Sequence, residues 1–332
     1  MLPISVLVPT RNSMSLLPKH VEAMRGWLDV PEEVVAVDSH STDGTLEFLQ
    51  RELKHPGLRV LTHPPGLYQS WNFGIAQCRA KYIYISTVGE TITREGLVEL
   101  FTAAEQFAAD VVISPPRMFD MKGRAKKKEW PVHGLISAWG LQDAVAIQGV
   151  AAQVFAVSYV QRGILGSSAS NLYRAAVLQR FPFRTDFGTA GDLAWGLEHA
   201  GEVRIAIVPR HLSTFVFHPK SYAKSDYVVA EFTEKCVRLA EESVARRSWM
   251  AGMNTNATES ELLLSHLLAS WREFLSAKAA VQKLKGGAVW FLRPSAWRAY
   301  LARGQKLRRL EQAQESAMKS IACSVMRDGL SP

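Results

Sequence analysis

The stretch Ile4-Ser5-Val6-Leu7-Val8-Pro9-Thr10-Arg11-Asn12 decides the fold, together with a second apolar run, Val34 to Asp38, about 30 residues further on. Both are short and β-branched and both stop at polar residues. Between them Leu16, Leu17, Val21, Met24 and Leu28 recur at helical spacing, which makes a βαβ unit. The alternation continues. Ser41, Thr42 and Asp43 stand as N-caps ahead of Leu46, Phe48 and Leu49. A short run at Arg59 to Leu61, a helical stretch from Trp71 to Ala80, a strand at Tyr82 to Ser86, a helix from Thr93 to Phe107 and a strand at Val111 to Ser114 follow. This pattern predicts an α/β fold, a Rossmann-like, mostly parallel sheet with helices on both faces. Ligands of such sheets bind beyond the carboxyl ends of the strands, where this chain has Pro-Thr-Arg-Asn and then Asp-Ser-His-Ser-Thr-Asp-Gly-Thr. Neither G-x-G-x-x-G after the first strand nor the P-loop pattern is present.

From Pro115 to Ser168 the periodicity loosens, and this segment reads as an insertion loop. It carries the basic residues Arg117, Lys122, Arg124, Lys126, Lys127 and Lys128, a pattern equally at home in a solvated loop or in one facing acceptor or phosphate. Order returns at Ser168 to Arg174, with a helix at Ala175 to Phe181 and a strand at Val203 to Val208. From about Tyr222 onward the sequence is helical.

The chain has 332 residues, 47% hydrophobic and 21% charged, with 39 basic against 31 acidic side chains and a net charge of +8. Disorder is excluded by that apolar content. Cys78, Cys236 and Cys323 are odd in number and lack C-x-x-C spacing, which argues against a disulfide framework or zinc site and for a reducing cytosol. The opening MLPISVLVPTRN is too short in its apolar part, and lacks the basic leader, for a signal peptide. Ala144 to Tyr159, broken by Gln148 and Gln153, falls short of the roughly 20 residues that span a bilayer. The positive charge is local. Residues 274–310 hold nine basic and no acidic side chains and residues 117–128 six against Asp120, so the remainder is net negative.

Three motifs then occur in order: Ile4 to Asn12, Val37-Asp38-Ser39-His40-Ser41-Thr42-Asp43-Gly44-Thr45, and Gly66-Leu67-Tyr68-Gln69-Ser70-Trp71-Asn72-Phe73-Gly74-Ile75. Together they resemble the family 2 glycosyltransferases of the GT-A fold. The resemblance implies a GT-A catalytic domain over residues 1–222, including the insertion at about 115–168, followed by a helical region over 223–332. It implies transfer of a sugar from a nucleotide-diphosphate donor to an acceptor hydroxyl, usually with inversion and with Mg2+ or Mn2+. Departure of a nucleoside diphosphate builds charge on phosphate oxygens that a carboxylate-held cation stabilises, and a base must take the acceptor proton.

By the same resemblance, Pro9, Thr10, Arg11, Asn12, Asp38, Ser39, Gly66, Tyr68, Asn72 and Gly74 form the donor site, with Gly66 and Gly74 allowing backbone to approach ligand. The family commonly has a second acid where this chain has Ser39. Trp71 reads as core or acceptor wall. The usual acidic metal motif is reduced here to Thr87-Val88-Gly89-Glu90, which leaves Glu90 as the metal ligand or, in the alternative, an acid leading into the next helix. Asp192 matches the catalytic base that opens a helix in the acceptor half, a position that also suits a helix cap. Arg174, His218 and Lys220 are lesser candidates for phosphate or metal, and Asp186 a weaker acid.

The basic segment 274–310 interleaves Trp290, Phe291, Leu292, Trp297, Tyr300 and Leu301. That composition describes an interfacial helix on an anionic membrane, with packing or oligomer contact as the rival and a nucleic-acid partner not expected. The expected partners are thus a nucleotide-sugar donor and a carbohydrate or lipid-linked acceptor in cell-surface polysaccharide or glycolipid synthesis. The expected location is cytoplasmic, peripheral to the membrane. A non-catalytic nucleotide-sugar-binding relative with a degenerate metal motif is the alternative.

Overall fold

Ile4, Val6, Leu7 and Val8 are fully buried in β1 (Leu2–Thr10), as residues of a strand inside a parallel sheet must be. The computed structural model describes residues 1–127, 129–217, 226–250, 257–284 and 294–328. After β1 come α1 (Leu17–Met24), β2 (Pro31–Asp38), α2 (Thr45–Glu52), β3 (Leu58–Thr62), α3 (Leu67–Gln77) and β4 (Tyr82–Ile85). Helix α1 forms because Leu17, His20, Val21 and Met24 fall on one buried face. Next are β5 (Thr91–Ile92), α4 (Arg94–Gln106), β6 (Val111–Ile113), β7 (Arg117–Asp120), α5 (Pro131–Trp139), β8 (Val145–Ile147) and α6 (Gly149–Ser158). Helix α4 starts where the Thr93 hydroxyl accepts the Gly96 N–H at 3.0 Å. The series continues with β9 (Asn171–Arg174), α7 (Ala175–Arg180), α8 (Gly191–His199), β10 (Ile205–Ile207) and β11 (Ser213–Phe217). Three long helices follow, α9 (Asp226–Ala245), α10 (Ala257–Leu284) and α11 (Pro294–Asp328).

The main sheet has the order β3-β2-β1-β4-β9-β6-β10-β8 and is mostly parallel, with β9 and β8 antiparallel to their neighbours. A second sheet has the order β5-β11-β7. Register sets up the site. Thr10 pairs with Asp38 and Leu7 with Ile85, so the loops after β1, β2 and β4 leave the sheet side by side.

The expected insertion loop at 115–168 is not a loop, because it contains β7, α5, β8 and α6. Helix α6 is apolar on every face and Ala151 to Ser158 are all buried, which marks a core helix. The chain divides into two compact units. One comprises Met1–Ile147, Gly163–Gly196 and Val203–Pro219, and the other Gln148–Arg162, Leu197–Glu202 and Lys220–Pro332. Within the second, the Trp271 indole donates to the Val157 carbonyl at 2.8 Å and the Gln314 amide to the Ser158 carbonyl at 2.7 Å, so α6 is where α10 and α11 attach. Local periodicity could not show this, since an apolar run of ten residues looks alike in a loop-bounded helix and in the centre of a bundle.

Candidate active site

The loops after β1 and β2 are tied together by side chains. Asp38 is fully buried and both of its oxygens are occupied: Oδ1 accepts from the Thr10 hydroxyl at 3.2 Å and the Ser41 hydroxyl at 2.5 Å, and Oδ2 from the Ser41 N–H at 2.8 Å. Asn12 donates its N–H to Ser41 Oγ at 2.8 Å and accepts the Thr42 N–H at 2.9 Å. Asp43 receives the Met14 N–H at 3.0 Å and the Thr45 hydroxyl at 2.6 Å. The residue preceding α2 is Gly44, at φ +87°; Ser41 bridges the loops, while Asp43 bridges them and also accepts the N–H of Thr45, the first residue of α2, at 3.2 Å, as a capping acid does. Asn12 and His40 are non-glycine residues held in the left-handed region, at φ +46° and +51°. Such conformations persist only where the surroundings impose them, and here they shape a rim at the strand ends. Pro9 lies at the end of β1 and Arg11 stands exposed on that rim. Thr10, Asn12 and Asp38 are thus gathered as the sequence suggested, but their polar atoms build the rim.

The side chains of the third motif have partners within the protein. The Ser39 hydroxyl pairs with the Ser70 hydroxyl at 2.7 Å, both buried, so it faces α3. The Asn72 side chain donates to the Phe183 carbonyl at 2.8 Å and accepts the Phe183 N–H at 3.0 Å, a clamp on the chain entering the α8 region. A Cβ on Gly74 would lie 2.3 Å from Leu7 Cδ1, so the close approach that glycine permits is between α3 and the sheet rather than between backbone and ligand. Gly66 precedes the first turn of α3 under the Gln69 side chain. Tyr68 is 3% exposed, packs against Trp71 and Phe183, and turns its hydroxyl to Asp192 and, at 3.4 Å, to the Thr189 carbonyl. Trp71 belongs to the same aromatic cluster and is core.

Glu90 and Asp192, 102 positions apart, lie near enough in the first unit for the charge of one to act on the other. The Glu90 N–H donates to the Thr87 carbonyl at 3.0 Å, closing a turn that Gly89 makes at φ +95°. Its carboxylate accepts from the Ser167 hydroxyl and from the Ala169 N–H. Burial outweighs those bonds and, with the charge of Asp192, pushes Glu90 up to about 7. Asp192 sits in the first turn of α8, with Oδ1 accepting the Leu193 N–H at 2.8 Å. Burial raises its proton affinity too, against the Tyr68 hydroxyl and the Leu193 N–H. Two half-buried carboxyls with elevated pKa suit proton transfer and cation binding.

Two supports escaped sequence reading. Ser167 sits in a polar run, Ser167-Ser168-Ala169-Ser170, that carries no local signature of its target. His20 on α1 places Nε2 3.1 Å from the Ser86 hydroxyl at the end of β4, and burial lowers it to about 4, so it is neutral at physiological pH. Among the lesser candidates, Arg174 pairs with Asp110 at 3.0 Å and Asp186 with Arg184 at 2.7 Å. His218 and Lys220 lie outside the described residues, as do Lys128, Tyr222, Lys285, Trp290, Phe291, Leu292 and Arg293.

A mostly parallel sheet with polar loops converging at three strand ends, and a helix that opens on an acid, is the architecture of the GT-A fold. Residues 5–162 match glycosyl transferase family 2, and that segment of the chain is a family 2 glycosyltransferase domain. The fold is similar to that of S. aureus TarS 1–349 in complex with UDP-GlcNAc, at 16% identity and TM-score 0.55, over 96% of this chain and 92% of that one. It is also similar to the mannosyltransferase PcManGT from Pyrobaculum calidifontis in complex with GDP-Man and Mn2+, at 18% identity and TM-score 0.56, over 98% and 87%. At these identities the likeness is one of fold. No curated protein matches the chain in sequence. Among the described residues, no helix is long and apolar enough to cross a membrane and no group of three or more His, Cys, Asp or Glu side chains is placed to hold a metal.

Proposed function

We propose that this glycosyltransferase moves a sugar from a nucleotide-diphosphate donor to an acceptor hydroxyl with inversion, in cell-surface polysaccharide or glycolipid synthesis on the cytoplasmic face of the membrane. The observation that carries the reading is the convergence of Glu90 and Asp192, each with raised proton affinity, beside the rim built by Thr10, Asn12 and Asp38. The donor lies across that rim, with Pro9, Arg11 and the backbone around Ser39 and Gly66 lining it. The acceptor oxygen bonds to the anomeric carbon as its proton passes to Asp192. The bond from that carbon to the phosphate oxygen breaks, and the nucleoside diphosphate leaves with the electron pair. A carboxylate whose pKa is raised toward the working pH accepts a proton more readily than an exposed one, which suits Asp192 as the base.

Glu90 fits a divalent cation in one respect: it is a hard anionic oxygen donor at the end of β4 whose raised pKa a cation would lower. Lacking a further cluster of acids, the described residues suit a metal completed by phosphate oxygens and water, as Mg2+ commonly is. When bound, such an ion neutralises charge on the departing diphosphate.

The membrane contact falls on the start of α11. There Trp297, Tyr300 and Leu301 are 57%, 52% and 62% exposed, beside the exposed Arg298 and Arg308. The earlier part of the basic segment packs within the helical unit, where Phe274, Leu275 and Val281 are buried. A thermal-shift panel of UDP-, GDP- and dTDP-sugars with and without Mg2+ or Mn2+, followed by nucleotide-release assays on wild type and Asp192→Asn, tests the reading. Stabilisation by a nucleotide sugar with turnover lost in Asp192→Asn is expected. Binding without turnover in wild type leaves a non-catalytic relative, and no binding of any nucleotide overturns the donor site.

A further inference from the structure

A buried tyrosine whose ring alone would fill its place raises the question of what its hydroxyl is for, since burying a hydroxyl costs free energy unless it is hydrogen-bonded. Tyr68 is such a residue. Its ring is locked on three sides. Trp71 and Phe183 pack on it with ring centroids 5.2 and 5.5 Å away, and Phe183 is itself held by both ends of the Asn72 amide. On the third side lies the backbone of Gly191, where a Cβ would come within 2.6 Å of Tyr68 Cδ2 and 2.2 Å of the Arg184 carbonyl. Only glycine fits there, immediately before Asp192. So fixed, the hydroxyl lies 3.4 Å from the Thr189 carbonyl, a long hydrogen bond, and beside both the backbone N–H and the carboxylate of Asp192.

We propose that Tyr68 is the positioning residue of Asp192: its buried hydroxyl donates to the carboxylate and fixes its orientation toward the acceptor. The inference rests on Asp192 being the base, and it replaces the donor contact that the sequence motif suggested for Tyr68. Two features support it. Burial and the charge of Asp192 together raise the phenol well above its ordinary pKa, so it remains a donor throughout the physiological range. The Leu193 N–H holds Asp192 Oδ1 from the helix side, so backbone and phenol together restrict the rotation of the carboxylate.

The test is Tyr68→Phe, which keeps the ring and removes the oxygen, read by carbon-13 NMR titration of carboxyl-labelled aspartate with the Asp192 signal assigned from Asp192→Asn. Removing a donor from a carboxylate favours its protonated form, so the Asp192 midpoint should rise by about one unit, a roughly tenfold gain in proton affinity. In nucleotide-release assays, kcat should fall about tenfold, with donor KM within about twofold of wild type and the acidic limb of the pH profile displaced upward. Trp71→Phe disturbs the same packing without touching the hydroxyl and should leave the midpoint in place. A raised donor KM with an unmoved midpoint would return Tyr68 to the donor site and overturn the proposal, as would equal midpoint shifts in both variants. The titration uses the free protein and does not depend on turnover. Absence of transfer by wild type would therefore count against the functional reading while the Tyr68–Asp192 bond was still decided.

Discussion

The Ser167 hydroxyl donates to the Glu90 carboxylate across 77 positions of sequence, joining the turn after β4 to the segment that leads into β9. This bond and the Ala169 N–H fix the direction of an acid that would otherwise hang from a glycine-containing turn. A single carboxylate in place of an acidic run thereby gains a defined position.

Replacing Glu90 by Gln should change stability in a pH-dependent way. Its folded-state pKa of about 7 lies above the ordinary 4.5, so between those values the folded protein holds the extra proton and stability falls as pH rises. Glu90→Gln, neutral throughout, should match wild type near pH 4 and exceed it by up to ~3 kcal/mol near pH 8. Urea unfolding of both proteins at the two pH values checks this, and a constant difference would show that the carboxylate is not paying a burial cost.

Asp192→Asn should retain nucleotide-sugar binding if Asp192 acts on the acceptor, as proposed. The loss of a general base predicts a fall in kcat of at least ~100-fold with little change in the thermal shift that donor induces. Equal loss of binding and turnover would place Asp192 in the donor site instead.

Asn72→Ala separates a clamp from a donor contact. Removing both bonds to Phe183 leaves a backbone N–H and carbonyl without partners and should cost about 2 kcal/mol of stability. Chemical denaturation should show that cost, while donor affinity of the folded variant changes by less than about threefold. A large rise in donor KM at unchanged stability would restore the residue to the donor site.

Replacing Trp297, Tyr300 and Leu301 together by Ala should reduce co-sedimentation with phosphatidylserine-containing vesicles by about tenfold or more, because interfacial binding scales with buried apolar area. High salt should reduce binding of the wild type as well, since Arg298 and Arg308 flank the patch. Unchanged binding would remove α11 from the membrane contact.

Much of the architecture was legible in the chain because its determinants are local. The runs at Ile4 to Val8 and Val34 to Asp38 announce parallel strands through β-branched, continuously apolar composition, and the polar strings after them mark the loops where a ligand belongs. The gathering of Thr10, Asn12 and Asp38 follows from strand order alone. The helical C-terminal region was likewise visible as composition. The membership of α6 in the helical unit was not, because periodicity reports which face is apolar and says nothing of what covers it.

By itself, then, the sequence determined the α/β alternation, the motif order and the position of two acids at element ends, all set by residues within a few turns of one another. Only the tertiary structure decided which polar atoms meet. Asn72 on Phe183, Ser39 on Ser70, Gly74 on Leu7, Ser167 on Glu90 and Tyr68 against Gly191 join residues 31 or more positions apart. A hydrogen bond or close packing between such positions exists only once the chain has brought them together. The raised proton affinities of Glu90 and Asp192 have the same origin, since burial is a property of the folded surroundings and not of the carboxylate.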